Sequence, residues 1–229
     1  MSDNRFEIEV IARIHTDLPG KFGIPRQSGL VEQLEGLIVF EPRFRAAEAL
    51  RGIEEWSHLW LIWQFSENAG EWSPTVRPPR LGGNERVGVF ATRSPFRPNS
   101  MGLSCVKLLG TEHTRDKGTV LRVAGADLMD GTPIFDIKPY LPLADCKPEA
   151  TGGFTDTREK RRVAVDIPAG LAELLPDEKL SALKALLAED PRPAYQDDPG
   201  RVYGFPYAGF EVKFCVREGT AYVTDIIPE

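Results

Sequence analysis

The early part of the chain breaks into short apolar runs separated by clusters of Gly and Pro, a pattern that predicts strands joined by tight turns. These runs occupy positions 8–14, 37–40, 59–65, 87–91, 103–109, 120–123 and 134–137. Leu59, Trp60, Leu61, Ile62 and Trp63 are apolar at every position, which predicts a strand covered on both faces. One helix is predicted here, over 42–51, because Phe44, Ala47 and Leu50 recur at helical spacing and Gly52 supplies a stop. Many short strands with few helices favour a barrel or strongly curved sheet over alternating βαβ units. No GxGxxG follows a strand, so the usual mark of a Rossmann-type cofactor cleft is missing.

The pattern changes after residue 145. Positions 145–160 are poor in large apolar residues and rich in turn formers, which predicts a linker. The expected domains are therefore 1–148 and 160–229. In the second, 163–167 reads as a strand, and Leu180, Leu183, Leu186 and Leu187 mark an amphipathic helix from near Pro176 to just before Asp190. Phe210, Val212, Phe214 and Val216 then alternate with polar residues, and Glu218-Gly219 can turn the chain into a last strand over 221–227. The expected fold is mainly β, a strand-rich N-terminal domain followed by a small α+β domain.

Charge sharpens this picture. The net charge of −6 argues against indiscriminate binding to nucleic acid, which depends on Lys and Arg at phosphates. The bases are not spread evenly, however. Arg77, Arg80, Arg86, Arg93, Arg97 and Lys107 face only Glu85 among nearby acids in the sequence, whereas 165–199 is strongly acidic. No apolar run approaches the roughly 18 residues of a membrane span, and the polar N-terminus lacks the look of a signal peptide, so a cytoplasmic protein without membrane attachment is expected. Cys105, Cys146 and Cys215 show no metal-ligand spacing, and the three histidines are well separated, so no metal is expected. GxSxG, HExxH and phosphate-loop sequences are absent, which removes support for the corresponding hydrolases and NTPases.

Four polar segments interrupt the apolar pattern: 22–29, 77–84, 92–99 and 127–133. Each mixes Pro or Gly, which fix or free the backbone, with Arg, Gln, Asn or Asp. Any one of them alone reads as a tight turn with solvated side chains. Four in one domain read as a site. Asp130-Gly131 is a common turn pair, and of the tryptophans Trp72 is the best candidate for an exposed stacking surface.

Taken together, VRPPRLGGN (76–84), VFATRS (89–94), FRPN (96–99) and DGTP (130–133) followed by DIKPYLP (136–142) resemble the TsaA-like, or YaeB-like, family, which includes the TrmO-type tRNA methyltransferases. The likeness runs from about residue 6 to 143 and extends weakly through DPRPAY (190–195). It implies a β-barrel catalytic domain, commonly a homodimer, that binds S-adenosylmethionine without a Rossmann fold. The cofactor positions implied are Pro25, Arg26 and Gln27, Ser66 and Glu67, Arg93, Leu103, and Ala124, Gly125, Ala126 and Asp127. Relatives often carry His where this chain has Ser66, which puts side-chain contacts there in question. The implied reaction is methylation of N6 of threonylcarbamoyladenosine at position 37 of certain tRNAs. Asp127 is then a base for the N6 proton or a partner of the cofactor's polar groups, and Arg80, Arg86, Arg97, Asn99 and Lys138 are candidate contacts to tRNA. Two other functions stay open on the sequence: a non-catalytic RNA-binding adaptor, and methylation of a different acceptor.

Overall fold

The computed structural model describes residues 6–68, 72–156, 162–193 and 198–229, apart from the Arg80 side chain. Six strands close into a barrel: β1 (Ala12–Thr16), β2 (Glu35–Phe40), β3 (His58–Gln64), β6 (Met101–Thr114), β7 (Gly118–Ala124) and β8 (Thr132–Pro139). Their order around the barrel is β1-β2-β7-β6-β3-β8, with every neighbouring pair antiparallel. A small hairpin of β4 (Thr75–Val76) and β5 (Val87–Gly88) stands in the long excursion between β3 and β6. Barrels of this size are filled by side chains. The filling here includes Ile14, Ile38, Leu61, Val106, Leu121, Val123, Leu128 and Ile134.

The second sheet has the order β10-β11-β12-β9, from β9 (Ala164–Asp166), β10 (Tyr203–Tyr207), β11 (Phe210–Arg217) and β12 (Thr220–Pro228). Helix α3 (Asp177–Ala188) buries Ala182, Leu183, Leu186 and Leu187 in the core of this unit with Phe205, Tyr207, Val212 and Phe214. It follows two one-turn helices, α1 (Pro142–Asp145) and α2 (Ala169–Ala172). Glu218 and Gly219 both take positive φ, 50° and 76°, the geometry of a tight hairpin whose twist matches its strands.

Several local expectations need correction. The first strand starts at Ala12 rather than 8, and Ile8 is exposed. The predicted helix over 42–51 is two 3-10 turns, Pro42–Phe44 and Ala47–Leu50. Arg45 separates them, because its guanidinium turns back to donate to the carbonyls of Phe40, at 2.8 Å, and Asp116, at 3.0 Å. The run 87–91 keeps only two strand residues before a 3-10 turn, Val89–Ala91. The buried faces of β3 are Leu59, Leu61 and Trp63, while Trp60 points outward, donating to Asp145 Oδ2 at 2.9 Å. Strand β10 was not expected, since Gly204 and Pro206 interrupt its pattern; an edge strand tolerates both.

One connection ties the two units together. The segment between β1 and β2, residues 17–34, leaves the barrel and returns to it, yet Leu18, Val31 and Leu34 are buried in the second core.

Candidate active site

Gly125 begins the convergence of the sequence-predicted residues. It ends β7 with φ 77°, a left-handed conformation natural to glycine, and swings the chain into 126–131. Its N–H donates to the Leu34 carbonyl at 2.9 Å, and its carbonyl accepts the Gly29 N–H at 2.8 Å. The two glycines approach so closely that a Cβ on Gly125 would lie 3.3 Å from Gly29 Cα. The 17–34 segment is thereby laced to 124–127. Ser28 adds a second tie, its Oγ accepting the Cys105 N–H of β6 at 3.1 Å.

Arg93 arrives from the long excursion and donates to Gln27 Oε1. Gln27 in turn donates to the Arg26 carbonyl at 2.5 Å. Glu67 is drawn toward the same segment, its carbonyl accepting the Lys21 ammonium at 2.5 Å, while Ser66 is exposed beside it. Leu103 lies next to Ser104 on β6 with half its surface open. The structure therefore links Gln27 to Arg93, the 28–29 backbone to Gly125, and Asp127 to Ser104 and Ser28, while Leu103 neighbours Ser104 on β6 and Glu67 is tied only to Lys21.

Asp127 is the half-buried acid of this place. Burial pushes its carboxyl above the usual carboxylate range, opposed by hydrogen bonds from Ser104 and from the backbone N–H groups of Asp127 and Ser28, and by the Arg93 charge. The Ser104 hydroxyl donates to Asp127 Oδ1 at 2.5 Å, and the Trp63 indole N–H donates to Ser104 Oγ at 2.9 Å. An indole N–H only donates, so Ser104 must accept from it and turn its own proton to Asp127. Sequence reasoning missed Ser28, Ser104 and Trp63. Ser104 carried a signal: it shares the inward face of β6 with Val106 and Leu108, and a fully buried hydroxyl among apolar neighbours requires a partner.

The candidate RNA contacts lie on the excursion between β3 and β6 and on β8. Arg86 is exposed and donates to Thr75 Oγ1 at 2.6 Å, and Asn99 is exposed. Arg97 is half-buried and donates to the Thr92 carbonyl at 2.7 Å, so its guanidinium shapes its own loop. Lys138 pairs with Asp136 at 2.8 Å on the surface. The Arg80 side chain and residues 194–195 of the DPRPAY segment lie outside the described residues. Shallow clefts of about 400 and 270 Å³ open elsewhere, and none of their lining residues belongs to the predicted site. Among the described residues no group of His, Cys, Asp and Glu suits a metal ion.

Comparison with known proteins places the chain in a family. The tRNA-methyltransferase O N-terminal domain matches residues 13–146, and the TrmO C-terminal domain matches 163–229. The tRNA (adenine(37)-N6)-methyltransferase of Escherichia coli K12 is 40% identical over 222 residues, covering 93% of this chain and 94% of that protein. The protein of the same name from Eikenella corrodens is 46% identical over 173 residues, 75% of this chain and 97% of its own. The crystal structure of TrmO from Pseudomonas aeruginosa superposes with a TM-score of 0.78 at 32% identity, covering 97% of this chain and 98% of that one. The chain belongs to the tRNA-methyltransferase O family.

Proposed function

We propose that this chain transfers the methyl group of S-adenosylmethionine to N6 of adenosine 37 in tRNA, with threonylcarbamoyladenosine as the acceptor. The observation that carries the reading is the linkage of Gln27, Arg93 and the 28–29 backbone to the 125–127 turn that holds Asp127, in a chain 40% identical to a tRNA (adenine(37)-N6)-methyltransferase along nearly its whole length. The residues suit the cofactor chemically. Arg93 offers a guanidinium to a carboxylate, Leu103 an apolar face to a purine, and the closely approaching backbones of Gly29 and Gly125 leave peptide groups where side chains would otherwise stand. Pro25, Gln27, Ser66, Glu67 and Ala124 through Ala126 complete this set, with Arg26 contributing its backbone. When bound, the cofactor supplies an electrophilic methyl group on a sulfonium that departs as a neutral thioether.

The acceptor nitrogen must lose a proton as its bond to carbon forms. Asp127 takes that proton: burial makes it more basic than an ordinary carboxylate, while the Trp63–Ser104 chain of donors keeps its ionised form available. The remaining task is alignment of the reacting atoms, which the rigid lacing of 27–29 to 125 serves. We place tRNA phosphates and the threonyl carboxylate against Arg80, Arg86, Arg97, Asn99 and Lys138, Arg97 acting mainly through the loop it shapes. Residues 1–148 carry the chemistry and 160–229 support it. The excursion that bears Arg93 exposes Phe90 and Phe96, and Met101 follows at the start of β6, apolar side chains that support a homodimer. The protein acts in the cytoplasm, on tRNA.

Purified chain, methyl donor and tRNA lacking the methyl group test the reading directly. Nucleoside mass analysis is expected to show one added methyl on threonylcarbamoyladenosine. Binding of tRNA without transfer would favour an adaptor, and transfer to another nucleoside would change the acceptor.

A further inference from the structure

The Pro25-Arg26-Gln27 segment is gripped from both sides. The barrel holds it through Ser28, Gly29 and Leu34. The C-terminal unit holds its flanks: Lys179 reaches the Asp17 carboxylate at 2.5 Å, and the Ala208 N–H donates to the Asp17 carbonyl at 3.0 Å. Gly23, at φ 98°, lies against Phe205 so closely that a Cβ would sit 2.6 Å from the ring.

Arg26 makes the contact nearest the cofactor positions. One nitrogen of its guanidinium donates to the Arg192 carbonyl at 2.9 Å and approaches the Asp190 carbonyl at 3.4 Å. Both carbonyls belong to the turn that follows α3, where partial negative charge suits a cation. The turn is itself braced. Asp190 takes a positive φ of 49°, and its carboxylate meets the Arg192 guanidinium in two parallel bonds of 2.7 and 2.9 Å, with both side chains buried. A bidentate pair of this kind fixes direction as well as distance.

We propose that Arg26 is a positioning residue: its guanidinium ties the cofactor segment to the Asp190–Arg192 turn, so the C-terminal unit completes the methyl-donor site without touching the donor. This rests on the donor reading above. Segment 17–34 contains Gly20, Gly23 and Gly29, and ordering such a chain upon binding would cost affinity that a pre-formed arrangement retains. The arrangement also explains why the segment buries Leu18, Val31 and Leu34 in the second core rather than in the barrel.

The test is a double-mutant cycle on the full chain, with S-adenosylhomocysteine affinity measured by calorimetry and initial rates measured at varied S-adenosylmethionine. Arg26→Ala should raise Kd by roughly threefold to tenfold, below the full scale of a buried charge-assisted hydrogen bond because Arg26 is itself exposed. Asp190→Asn disturbs the turn and none of the cofactor positions, and it should raise Kd as well. The double variant should be no worse than Arg26→Ala, since both act through one contact. KM for the donor should rise in each while kcat at saturation stays near the parent's, and Arg26→Lys should recover part of the loss. If Asp190→Asn lowers the thermal midpoint, Arg192→Lys replaces it in the cycle, keeping a cation opposite Asp190 without the paired bonds. Multiplying effects in the double variant, or an Asp190→Asn (or replacement Arg192→Lys) chain that binds like the parent, would overturn the inference and leave the donor reading standing. A parent chain that binds neither compound would overturn both.

Discussion

Replacing Ser104 with Ala isolates the proton-accepting role of Asp127. In the parent, the Trp63 indole N–H occupies Ser104 Oγ at 2.9 Å and so directs the hydroxyl proton to Asp127 Oδ1 at 2.5 Å. That bond favours the ionised carboxylate and partly offsets the burial that raises its pKa. A hydrogen bond to a charged group contributes roughly 1.5–3 kcal/mol. A tenfold change in a dissociation constant corresponds to about 1.4 kcal/mol, so removal of the bond should make Asp127 harder to ionise by roughly tenfold or more. The sign is fixed: the acid limb of the kcat/KM profile for methyl transfer moves to higher pH. At a pH on that limb the Ser104→Ala rate should be lower than the parent's by about tenfold or more, and on the alkaline plateau the two should converge. The substitution also strands the Trp63 N–H inside the barrel, at a cost of about 1–3 kcal/mol of stability, so rates must be read well below the melting temperature. Ser104→Thr keeps the hydroxyl and should return the limb toward the parent. A Ser104→Ala profile that lies on the parent's, or falls by one factor at every pH, would refute the assignment of Asp127 as base.

Asp127→Asn should abolish transfer yet leave thermal stability at neutral pH equal or higher. The native pKa of Asp127 lies above its unfolded value, so its favourable contribution is present at low pH and lost as pH rises through the native pKa; a neutral amide avoids that loss, and a marked drop in melting temperature would contradict it. Gly102→Ala should destabilise the barrel by about 1–3 kcal/mol in denaturant unfolding, because its Cβ would overlap the Trp63 indole, whose position is fixed by Ser104; parent-like unfolding would mean that the indole is free to move. Arg86→Ala should lower the log-log salt slope of tRNA binding by about 0.7–0.9, one phosphate, with donor affinity unchanged, and an unaltered slope removes Arg86 from the RNA surface. A fragment ending at residue 150 loses the partners of Leu18, Val31, Leu34 and Arg26, and calorimetry should find its donor affinity far below the full chain's.

What the sequence made legible follows from how locally each feature is determined. The barrel strands are visible because burial of one face imposes a period of two on neighbouring residues, and β3 stood out because its outward residues Trp60 and Ile62 are also apolar. The helix expected over 42–51 failed for a distant reason. Its apolar spacing is real, but Arg45, between the two turns, bonds to the carbonyls of Phe40 and, 71 residues away, Asp116, and spacing cannot reveal such a partner. Asp127 and the 25–27 segment were found through their wording, whereas the partners that give Asp127 its chemistry were not. Ser104 lies 23 residues before it on β6, and only the pairing of β6 with β7 brings the turn that holds Asp127 beside it.

The 17–34 segment shows the same limit most sharply. Val31 and Leu34 stand three apart but Leu18 is 13 residues away, and nothing in this spacing says that they belong to a core formed mostly by residues 163–226. Gly and Pro mark the segment as irregular, which is correct, and irregular segments commonly lie on a surface. This one keeps exposed residues such as Lys21 and Glu32, yet buries Leu18, Val31 and Leu34 in the second core. Its backbone groups are satisfied on the barrel side by Gly125 and on the other by Ala208, and its cation Arg26 is satisfied by carbonyls of a turn beyond residue 188. Cofactor positions that are contiguous in the first part of the sequence thus depend, for their shape, on the last part. A likeness confined to the barrel can therefore identify the site's residues in this chain without accounting for what holds them in place.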